Sequence, residues 1–408
     1  MSLQENSAVT VDLLMLPLGA AQLGGAERSI AELAIQLRRN GKRVLMLADR
    51  ALEDSPYRHM LAAEDIQVEW VDWHPDHSHR QNFCEAWRVF KKYRAPIIQF
   101  NMAWRKKLWL VPLAAKLANP RAKLIATARG IPDPHHDLPR RYYFGLIPSL
   151  RLWLWRDKFN GWVWGKLLTR TVSVNRDDAP RRLPADFYFP ADRIRVIQNG
   201  IPKRTHAFSA ADKQRLRQQI GLPEGAVFIL YAGRITLDKG IEVLLQAVAD
   251  LPEHYHVVLL GDGEGVPAMQ ALSQSLKLAQ RTHFPGFQSN SRDWMAAADI
   301  VAVPSVVNEG LARVVLEALG EQACIVATRV TGIAEIYEDE VQGLLIPPRD
   351  AKALTQALRR LGDDAALRKR FSVAAGQLFE EKYVVERVRD QYLALYDEVL
   401  PQESTPRP

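Results

Sequence analysis

Cysteine is scarce in this chain: its 408 residues include only Cys84 and Cys324. The two are far apart and match no metal-type spacing, which excludes a cysteine-based metal motif. Because both stand in apolar or helical surroundings, we predict two buried thiols in a reducing cytosol.

Long apolar runs are absent too. No stretch approaches the roughly 20 apolar residues that a membrane-spanning helix needs, so we predict no such helix. The first ten residues hold one acid and no base, which does not indicate a secretory signal. The short run VDLLMLPLGAA that follows them is predicted to be a buried strand.

The overall composition, 47% apolar and 25% charged, is typical of a globular soluble protein. Apolar strand patterns alternate with helical ones in both halves, which predicts an α/β fold with doubly wound parallel sheets. A polar, turn-rich stretch near residue 205 separates the halves. We predict two Rossmann-like domains facing a cleft, over residues 1–204 and 205–380, and a C-terminal helix over 381–400 that packs back on the first domain.

The net charge of +7 is unevenly distributed. Residues 1–200 hold 31 Lys and Arg against 20 Asp and Glu, whereas residues 201–408 hold 23 against 27. Most of the excess lies in residues 101–170, with 14 bases and three acids. This asymmetry indicates that the first half faces something anionic.

Two cations follow one predicted strand in YAGRITLDKG. The strand ends near Gly233, and Arg234 and Lys239 come directly after it. Ligands of such sheets bind at the carboxyl ends of the strands. A guanidinium fork beside a compact ammonium suits a diphosphate, although two solvated loop cations would give the same pattern.

Two glycine-containing turns follow the next strands. LLGDGEG includes Gly263, and its glycines let backbone approach a ligand closely. FPGF places Gly286 and Phe287 after another strand, where the edge of a flat base could lie. Taken alone, the first turn is a weak signal and the phenylalanine is more typical of a core.

Two glutamates, Glu309 and Glu317, bracket the apolar face of the stretch PSVVNEGLARVVLEAL. We predict a helix over 310–320, so that Glu309 precedes it and Gly310, Leu311 and Ala312 form its first turn, where free N–H groups attract phosphate. Glu317 lies about 80° around the helix from the direction of Glu309, so the two do not share one face. One carboxylate could hold sugar hydroxyls and the other a ribose diol; a dipole partner and an exposed helix acid are the alternatives.

These motifs, in this order, resemble the family 4 nucleotide-sugar glycosyltransferases of the two-domain GT-B type. The resemblance rests on GGAERSIAELAIQLRRNGKRV, VIQNGI, YAGRITLDKG, GDGEG, the two glutamates with seven residues between them, and GLLIPPRD. It covers nearly the whole chain, is specific in the second half and is looser between residues 70 and 170.

The resemblance implies a retaining hexosyl transfer that needs no metal and no cofactor, from a UDP-sugar or GDP-sugar donor. It implies that Arg234 and Lys239 bind the donor diphosphate, that Glu309 contacts the transferred sugar and that Glu317 contacts the ribose. It also implies a front-face mechanism, without a settled enzyme nucleophile, in which the leaving phosphate helps to deprotonate the acceptor.

In the first half the resemblance implies that Gly24 and Gly25 approach the phosphates or the acceptor, and it groups Asn199 with them. Where many relatives carry a histidine, this chain has Arg129, so the role of that histidine is not carried over. We expect Arg129 in acceptor or sugar binding. The nearby His135 and His136 lack further ligands, which favours a surface loop over a metal site.

Aromatic and basic residues interleave over residues 139–170, as they do at membrane interfaces. We predict that this stretch docks on an anionic inner leaflet and meets a lipid-borne acceptor; a packed, aromatic-rich helix pair is the alternative. Nucleic acid is a poor alternative, because no recognised binding motif accompanies the bases.

The sequence thus favours a cytoplasmic, peripheral-membrane transferase acting on a lipid-linked, lipopolysaccharide or polysaccharide acceptor. A nucleotide-sugar epimerase and a phosphorylase share the fold, but the residues or cofactor lysine that they need are not recognisable. A non-catalytic nucleotide-sugar-binding protein remains a third hypothesis, against which the intact charged residues argue.

Overall fold

The computed structural model describes residues 9–17, 24–73, 77–101, 110–129, 142–143 and 147–400, with backbone alone for 142–143 and 147–157. The chain divides into two compact units. Unit 1 combines Met1–Asn199 with Val385–Pro408, and unit 2 is Gly200–Val384. These limits lie a few residues from the predicted 204/205 and 380/381.

The strands, in chain order, are β1 Val9–Thr10, β2 Leu13–Leu16, β3 Val44–Asp49, β4 Gln67–Val71, β5 Tyr93–Arg94, β6 Ile97–Asn101, β7 Lys123–Ala128, β8 Tyr142–Tyr143, β9 Ile147–Pro148, β10 Arg170–Ser173, β11 Ile194–Val196, β12 Val227–Ala232, β13 Tyr255–Leu260, β14 Thr282–Gly286, β15 Ile300–Val303, β16 Ile325–Thr328 and β17 Gly343–Ile346. The helices are α1 Gly25–Arg39, α2 Pro56–Ala62, α3 His79–Lys92, α4 Val111–Ala118, α5 Ser149–Leu167, α6 Asp178–Phe187, α7 Ala210–Gln219, α8 Ile241–Ala249, α9 Val266–Ser275, α10 Ser291–Ala297, α11 Arg313–Gly320, α12 Ala351–Asp363, α13 Ala365–Leu378 and α14 Val385–Val399.

Each unit is built on one parallel sheet. The strand order is β11-β10-β7-β6-β2-β3-β4 in unit 1 and β14-β13-β12-β15-β16-β17 in unit 2. All six residues of β3, β12 and β13 are buried. Strands covered by helices on both faces read as continuous apolar runs, which is why the sequence shows such runs here. The predicted α/β class with two parallel sheets is confirmed.

Helix α1 shows how the sequence pattern becomes packing. Ile30, Leu33, Ala34 and Leu37 recur at helical spacing and are all buried. They share a core cluster with apolar residues of α14, the last helix of the chain. In that helix Tyr396 donates a hydrogen bond to the buried Gln99 of β6, so α14 belongs to unit 1.

In unit 2, two helices were not predicted. Helix α7 lies in the stretch interpreted as polar and turn-rich, and α13 follows α12 directly. The signal for α7 was present in the sequence, because Ser209 accepts a hydrogen bond from the Asp212 N–H at 3.2 Å while the Asp212 carboxylate accepts one from the Ser209 N–H at 3.0 Å. This reciprocal cap is a recognised start signal for a helix.

The prediction of two buried thiols is half wrong. Cys324 is buried, and burial raises the pKa of its thiol to about 12, whereas Cys84 is exposed on α3. Of the helices in the described part of the chain, none combines the length and the apolar character needed to cross a bilayer.

Candidate functional site

The carboxyl ends of β12, β13 and β14 are tied together by backbone hydrogen bonds. The Gly233 N–H donates to the Leu260 carbonyl at 2.9 Å, and the Gly261 N–H donates to the Gly286 carbonyl at 3.0 Å. A Cβ on Gly261 would lie 1.9 Å from the Gly233 oxygen. Glycine is required there for the contact between the two loops.

The predicted donor-binding glycines differ in what they make room for. A Cβ on Gly263 would lie 2.4 Å from the carbonyl oxygen of Ile235, so its space is filled by the neighbouring loop. Gly286, at φ +75°, has nothing within 4 Å. Next to it, Phe287 is 72% exposed. The core interpretation of Phe287 is therefore wrong, and its ring stands open at the edge of the sheet.

Arg234 and Lys239 lie on the loop between β12 and α8. This loop contains a single 3₁₀ turn, Leu237–Lys239, and ends at Gly240 with φ +67°. A Cβ on Gly240 would lie 2.1 Å from the carbonyl oxygen of Pro304, so the loop packs against the chain after β15. Arg234 is exposed and forms no ion pair with any residue that the structure describes.

The structure brings Lys239 and Glu309 into direct contact. The Lys239 Nζ lies 2.7 Å from Glu309 Oε1 and 3.6 Å from Asp238 Oδ2. The Ser305 hydroxyl donates to the same Glu309 Oε1 at 2.9 Å. Lys239 was expected at a diphosphate, and its pairing with Glu309 was not predicted.

Tyr231, a buried residue of β12, contacts the backbone of Arg234. Its hydroxyl donates to the Arg234 carbonyl oxygen at 2.6 Å. Burial raises the pKa of Tyr231, the negative charges of Glu309 and Asp238 raise it further, and Arg234 opposes them. Because Arg234 and Lys239 share the loop after β12 and Lys239 contacts Glu309, all three lie at the carboxyl edge of the unit 2 sheet.

The predicted start of the glutamate-bearing helix is wrong by three residues. Helix α11 begins at Arg313, and Ala312 precedes it in an extended conformation. The Ala312 N–H donates to the Gly332 carbonyl and the Glu309 N–H to the Thr331 carbonyl, each at 2.9 Å. Those two amides are therefore occupied by the protein. Gly310 and Leu311 lie on the loop before the helix, and Leu311 is buried.

Glu317 is neither exposed nor solitary. It lies within α11 with 7% of its surface exposed, and its Oε1 accepts a hydrogen bond from Arg313 Nε at 2.8 Å. The alternative of an exposed helix acid is wrong. A carboxylate buried this deeply needs a cationic partner, and Arg313, one helical turn earlier, supplies it.

In unit 1, Gly24 and Gly25 form the start of α1. The Gly24 N–H donates to Glu27 Oε2 at 3.0 Å, so the helix's own acidic side chain occupies that amide. A ligand that binds the Gly24 N–H would have to displace Glu27. The predicted role of the two glycines stays a prediction.

The structure brings Arg129 and Asn199 together, and their role in acceptor or phosphate binding stays a prediction. Arg129 Nη1 donates to Asn199 Oδ1 at 2.7 Å, and its Nε donates to Asn101 Oδ1 at 3.0 Å. Asn101 ends β6 and Arg129 follows β7, so these groups meet at the carboxyl edge of the unit 1 sheet. Asn101 was not predicted, because a single asparagine at a strand end carries no pattern.

Most side chains of the predicted membrane-facing stretch, residues 139–170, are not described, and these include Arg140, Arg141 and Arg151. His135 and His136, which precede the stretch, also lie outside the described residues. The described remainder carries an aromatic patch. Phe159 and Trp162 stack with their ring centroids 6.2 Å apart, and both are partly exposed. Lys158 lies 5.6 Å from the ring centroid of Tyr188, which is also exposed.

Two family models match consecutive parts of this chain. Residues 23–205 match Glycosyltransferase Family 4, and residues 212–377 match Glycosyl transferases group 1. The chain belongs to glycosyltransferase family 4. The predicted family is confirmed.

Curated relatives match the family 4 chain over part of their length. D-inositol 3-phosphate glycosyltransferase of Xylanimonas cellulosilytica is 36% identical over 221 residues, 51% of each chain. Lipopolysaccharide core biosynthesis glycosyltransferase LpsE of Rhizobium meliloti is 31% identical over 202 residues, 50% of this chain and 57% of LpsE. The chain spans about half the length of the curated relatives it matches.

Solved structures match nearly the whole family 4 chain. Anabaena Alr3699/HepE, solved in complex with UDP, has a TM-score of 0.80 at 21% identity, over 95% of this chain and all of that one. WaaG, a glycosyltransferase involved in lipopolysaccharide biosynthesis, has a TM-score of 0.69 at 15% identity, over 94% of this chain and 99% of WaaG. The fold is therefore of the GT-B type.

Two residues of the candidate site were not predicted. Ser305 lies within PSVVNEGLARVVLEAL and Tyr231 within YAGRITLDKG, but the sequence assigned no role to either residue. A serine four residues before a glutamate gives no signal in a loop, because contact there depends on the loop's shape. The alternation along β12 does place Tyr231 on a buried face, but it does not show which loop its hydroxyl reaches.

Proposed function

We propose that this chain transfers a hexosyl group from a nucleoside diphosphate sugar, with retention of anomeric configuration and without a metal ion. The observation that carries the proposal is the 2.7 Å pair of Lys239 and Glu309 beside Arg234, which has no ion-pair partner among the described residues. A cation next to a carboxylate provides for both halves of such a donor, since phosphate needs the positive charge and sugar hydroxyls need an acceptor.

In the proposed reaction the anomeric C–O bond of the donor breaks and negative charge develops on the β-phosphate. Arg234 and Lys239 stabilise that charge as it forms, and such preorganised stabilisation usually lowers the barrier more than any other single effect. The departing phosphate takes the proton of the acceptor hydroxyl, which attacks the same face of the sugar. Glu309 orients the transferred ring through its hydroxyls.

The donor is proposed to be a UDP-sugar or a GDP-sugar. Anabaena Alr3699/HepE, which shares the fold, was solved with UDP and with UDP-glucose, which supports a uridine nucleotide first. Phe287, exposed at the end of β14, is proposed to contact the base, and Glu317 the ribose. Arg313 donates to Glu317 Oε1, and the other oxygen, Glu317 Oε2, is proposed to accept from the ribose diol.

The acceptor is proposed to be a lipid-linked or lipopolysaccharide-type glycan, reached from the inner face of the cell membrane. Relatives named for lipopolysaccharide core and teichuronic acid biosynthesis support this class. So do the basic excess of residues 101–170 and the exposed rings of Phe159 and Trp162, because interfacial sites combine the two.

A thermal-shift screen tests the donor, since a ligand that binds the folded state raises the midpoint by mass action. UDP, GDP, ADP and their sugars are compared, and slow release of nucleotide is then measured without acceptor. A midpoint shift with turnover supports the enzyme. A shift without turnover, with and without glycan acceptors, supports a non-catalytic binding protein, and no shift with any nucleotide contradicts the proposal.

Glu309→Gln separates sugar handling from nucleotide binding. We expect the transfer rate to fall by about 10-fold to 100-fold, as for loss of a hydrogen bond to a charged group. The affinity for free UDP should change much less, because Glu309 is assigned to the sugar. An equal loss of both would contradict the assignment.

Sedimentation with anionic liposomes tests the membrane proposal. Reversing Arg140, Arg141, Arg151 and Lys158 to glutamate should abolish binding at moderate salt, because each base near the surface contributes about 1 kcal/mol. The matched control reverses four exposed bases of unit 2, which are Lys277, Lys352, Lys369 and Arg370. Failure of the unmodified protein to bind, or equal loss in the control, contradicts a docking surface.

A further inference from the structure

A single oxygen of Glu309 carries both hydrogen bonds that this side chain receives within the described residues. Lys239 Nζ donates to Oε1 at 2.7 Å and Ser305 Oγ donates to the same atom at 2.9 Å. In that same part of the chain, no group donates to Oε2. The carboxylate is therefore held on one side and open on the other.

Ser305 is itself a fixed point. Only 3% of its surface is exposed, and its carbonyl oxygen accepts a hydrogen bond from the buried Thr328 Oγ1 at 2.6 Å. The preceding residue, Pro304, packs against Gly240, where no Cβ could be accommodated. The serine hydroxyl thus projects from packed backbone towards a carboxylate that is only partly buried.

The two partners of Oε1 differ in how they would respond to a donor. Lys239 is assigned to the diphosphate and has a flexible stem, so an arriving phosphate competes with Glu309 for its ammonium group. Ser305 is uncharged and buried, so an arriving phosphate would not draw its hydroxyl away from Glu309. If Lys239 turned towards a donor, the hydrogen bond from Ser305 would remain to hold Glu309 in its rotamer.

We propose that Ser305 is a positioning residue, which holds Glu309 Oε1 so that Oε2 is presented to a hydroxyl of the transferred sugar while Lys239 engages the diphosphate. This inference rests on the proposed function. Ser305 would then affect the reaction without touching the substrate. Its substitution should therefore have no further effect on the rate once Glu309 has been replaced.

The test is a double-mutant cycle on the release of nucleoside diphosphate, measured with UDP-glucose or with whichever nucleotide sugar gives the largest midpoint shift. Ser305→Ala should lower kcat by about 10-fold to 100-fold, the cost of one hydrogen bond to a charged group. The donor KM should change less than about threefold, because the diphosphate contacts are intact. With Glu309→Ala already present, the same serine substitution should change kcat by less than about twofold.

Ser273→Ala is the matched control. Ser273 is a buried serine of the same unit whose hydroxyl has no hydrogen-bond partner in the described structure, so its replacement should leave kcat unchanged. Ser305→Thr keeps the hydroxyl and should recover most of the lost rate. If the added methyl lowers the thermal midpoint, Ser305→Cys, which keeps a weak donor in a similar volume, takes its place.

A wild-type kcat in Ser305→Ala overturns the inference, and so does an equal loss in Ser273→Ala or a full loss on top of Glu309→Ala. If Glu309→Ala is too slow to measure, recovery by threonine or cysteine decides alone, and its absence counts against the inference. These outcomes leave the proposed function standing. An unmodified chain that turns over none of the nucleotide sugars overturns both.

Discussion

Unit 1 and unit 2 are built on the same kind of parallel sheet, yet their carboxyl edges use arginine differently. In unit 1, Arg129 is bound by the amide oxygens of Asn101 and Asn199. In unit 2, Arg234 forms no ion pair within the described residues and is exposed. An arginine that is hydrogen-bonded within the fold contributes to stability. Removing an arginine without such partners should change stability little, and its guanidinium group is available to a ligand.

The glycines of unit 2 differ in the same sense. Gly240 and Gly261 allow neighbouring backbone to pack closely and so have a structural role. Gly286 instead faces open space beside the exposed Phe287. A residue's type at a strand end therefore does not separate structural from functional use. The partners that the tertiary structure provides do so.

Arg234→Ala should give the largest effect. We expect the rate of transfer to fall by about 10²–10³, as for loss of one charge-stabilising donor, with the thermal midpoint within about 1 °C of the unmodified protein because no described contact of the side chain is lost. Lys239→Ala should give a similar loss of rate. Arg215→Ala, which removes an exposed arginine of α7 in the same unit, is the control. Near-normal turnover in Arg234→Ala would contradict the contrast drawn between Arg234 and Arg129.

Gly240→Ala and Gly286→Ala extend the contrast to stability. Both glycines have positive φ, but only at Gly240 would a Cβ meet another atom, the Pro304 oxygen at 2.1 Å. We expect about 3 kcal/mol of lost stability at Gly240 and about 1 kcal/mol at Gly286, because the first adds a backbone clash to the strain. Denaturant midpoints measure both, and equal losses would show that the clash is relieved cheaply.

Arg129→Ala should lower the stability of the fold, which Arg234→Ala should leave nearly unchanged. The hydrogen bonds to Asn101 and Asn199 in the described part of the chain disappear, so we expect the free energy of unfolding to fall by about 1–2 kcal/mol. Arg58→Ala, at an exposed arginine of α2, is the unit 1 control. Unfolding monitored in denaturant tests it, and an unchanged midpoint would mean that the two amide contacts add nothing to stability.

The smallest effect is expected from pH, at the opposite end of the unit 2 sheet. His256 Nδ1 and His283 Nε2 lie 3.2 Å apart near the starts of β13 and β14. Burial, with the charge of His283 added, lowers the pKa of His256 to about 4, and burial also lowers the pKa of His283. The unfolded chain, with histidine pKa values near 6.5, therefore binds more protons between about pH 6.5 and 4.

Stability should accordingly be complete above about pH 6.5 and decline as the pH falls towards 4, by about 1 kcal/mol after allowance for solvent near His283. Thermal midpoints at pH 7 and pH 5 measure the decline. Replacing both histidines with glutamine should reduce the decline, whereas His206→Gln, at an exposed histidine, should not. A midpoint that is equally pH-dependent in both variants would assign the effect to other groups.

Much of this molecule followed from local pattern. Alternating apolar runs and helical spacing predicted both parallel sheets, and the order of short motifs pointed to the family and selected Arg234, Lys239, Glu309 and Glu317. These properties depend on neighbours within a few residues along the chain, which is the range over which periodicity and turn preferences act.

Other features were decided only in three dimensions. The pairs Lys239–Glu309 and Arg129–Asn199 each join residues 70 positions apart, and α11 begins at Arg313 with the Ala312 N–H bound to the distant Gly332 carbonyl. No local preference encodes such partners, because they exist only after separate strands have been laid side by side. Distant partners such as Thr328 and Thr331 also fix the loop on which Ser305 meets Glu309, and the same packing gives Arg234 no ion-pair partner among the described residues.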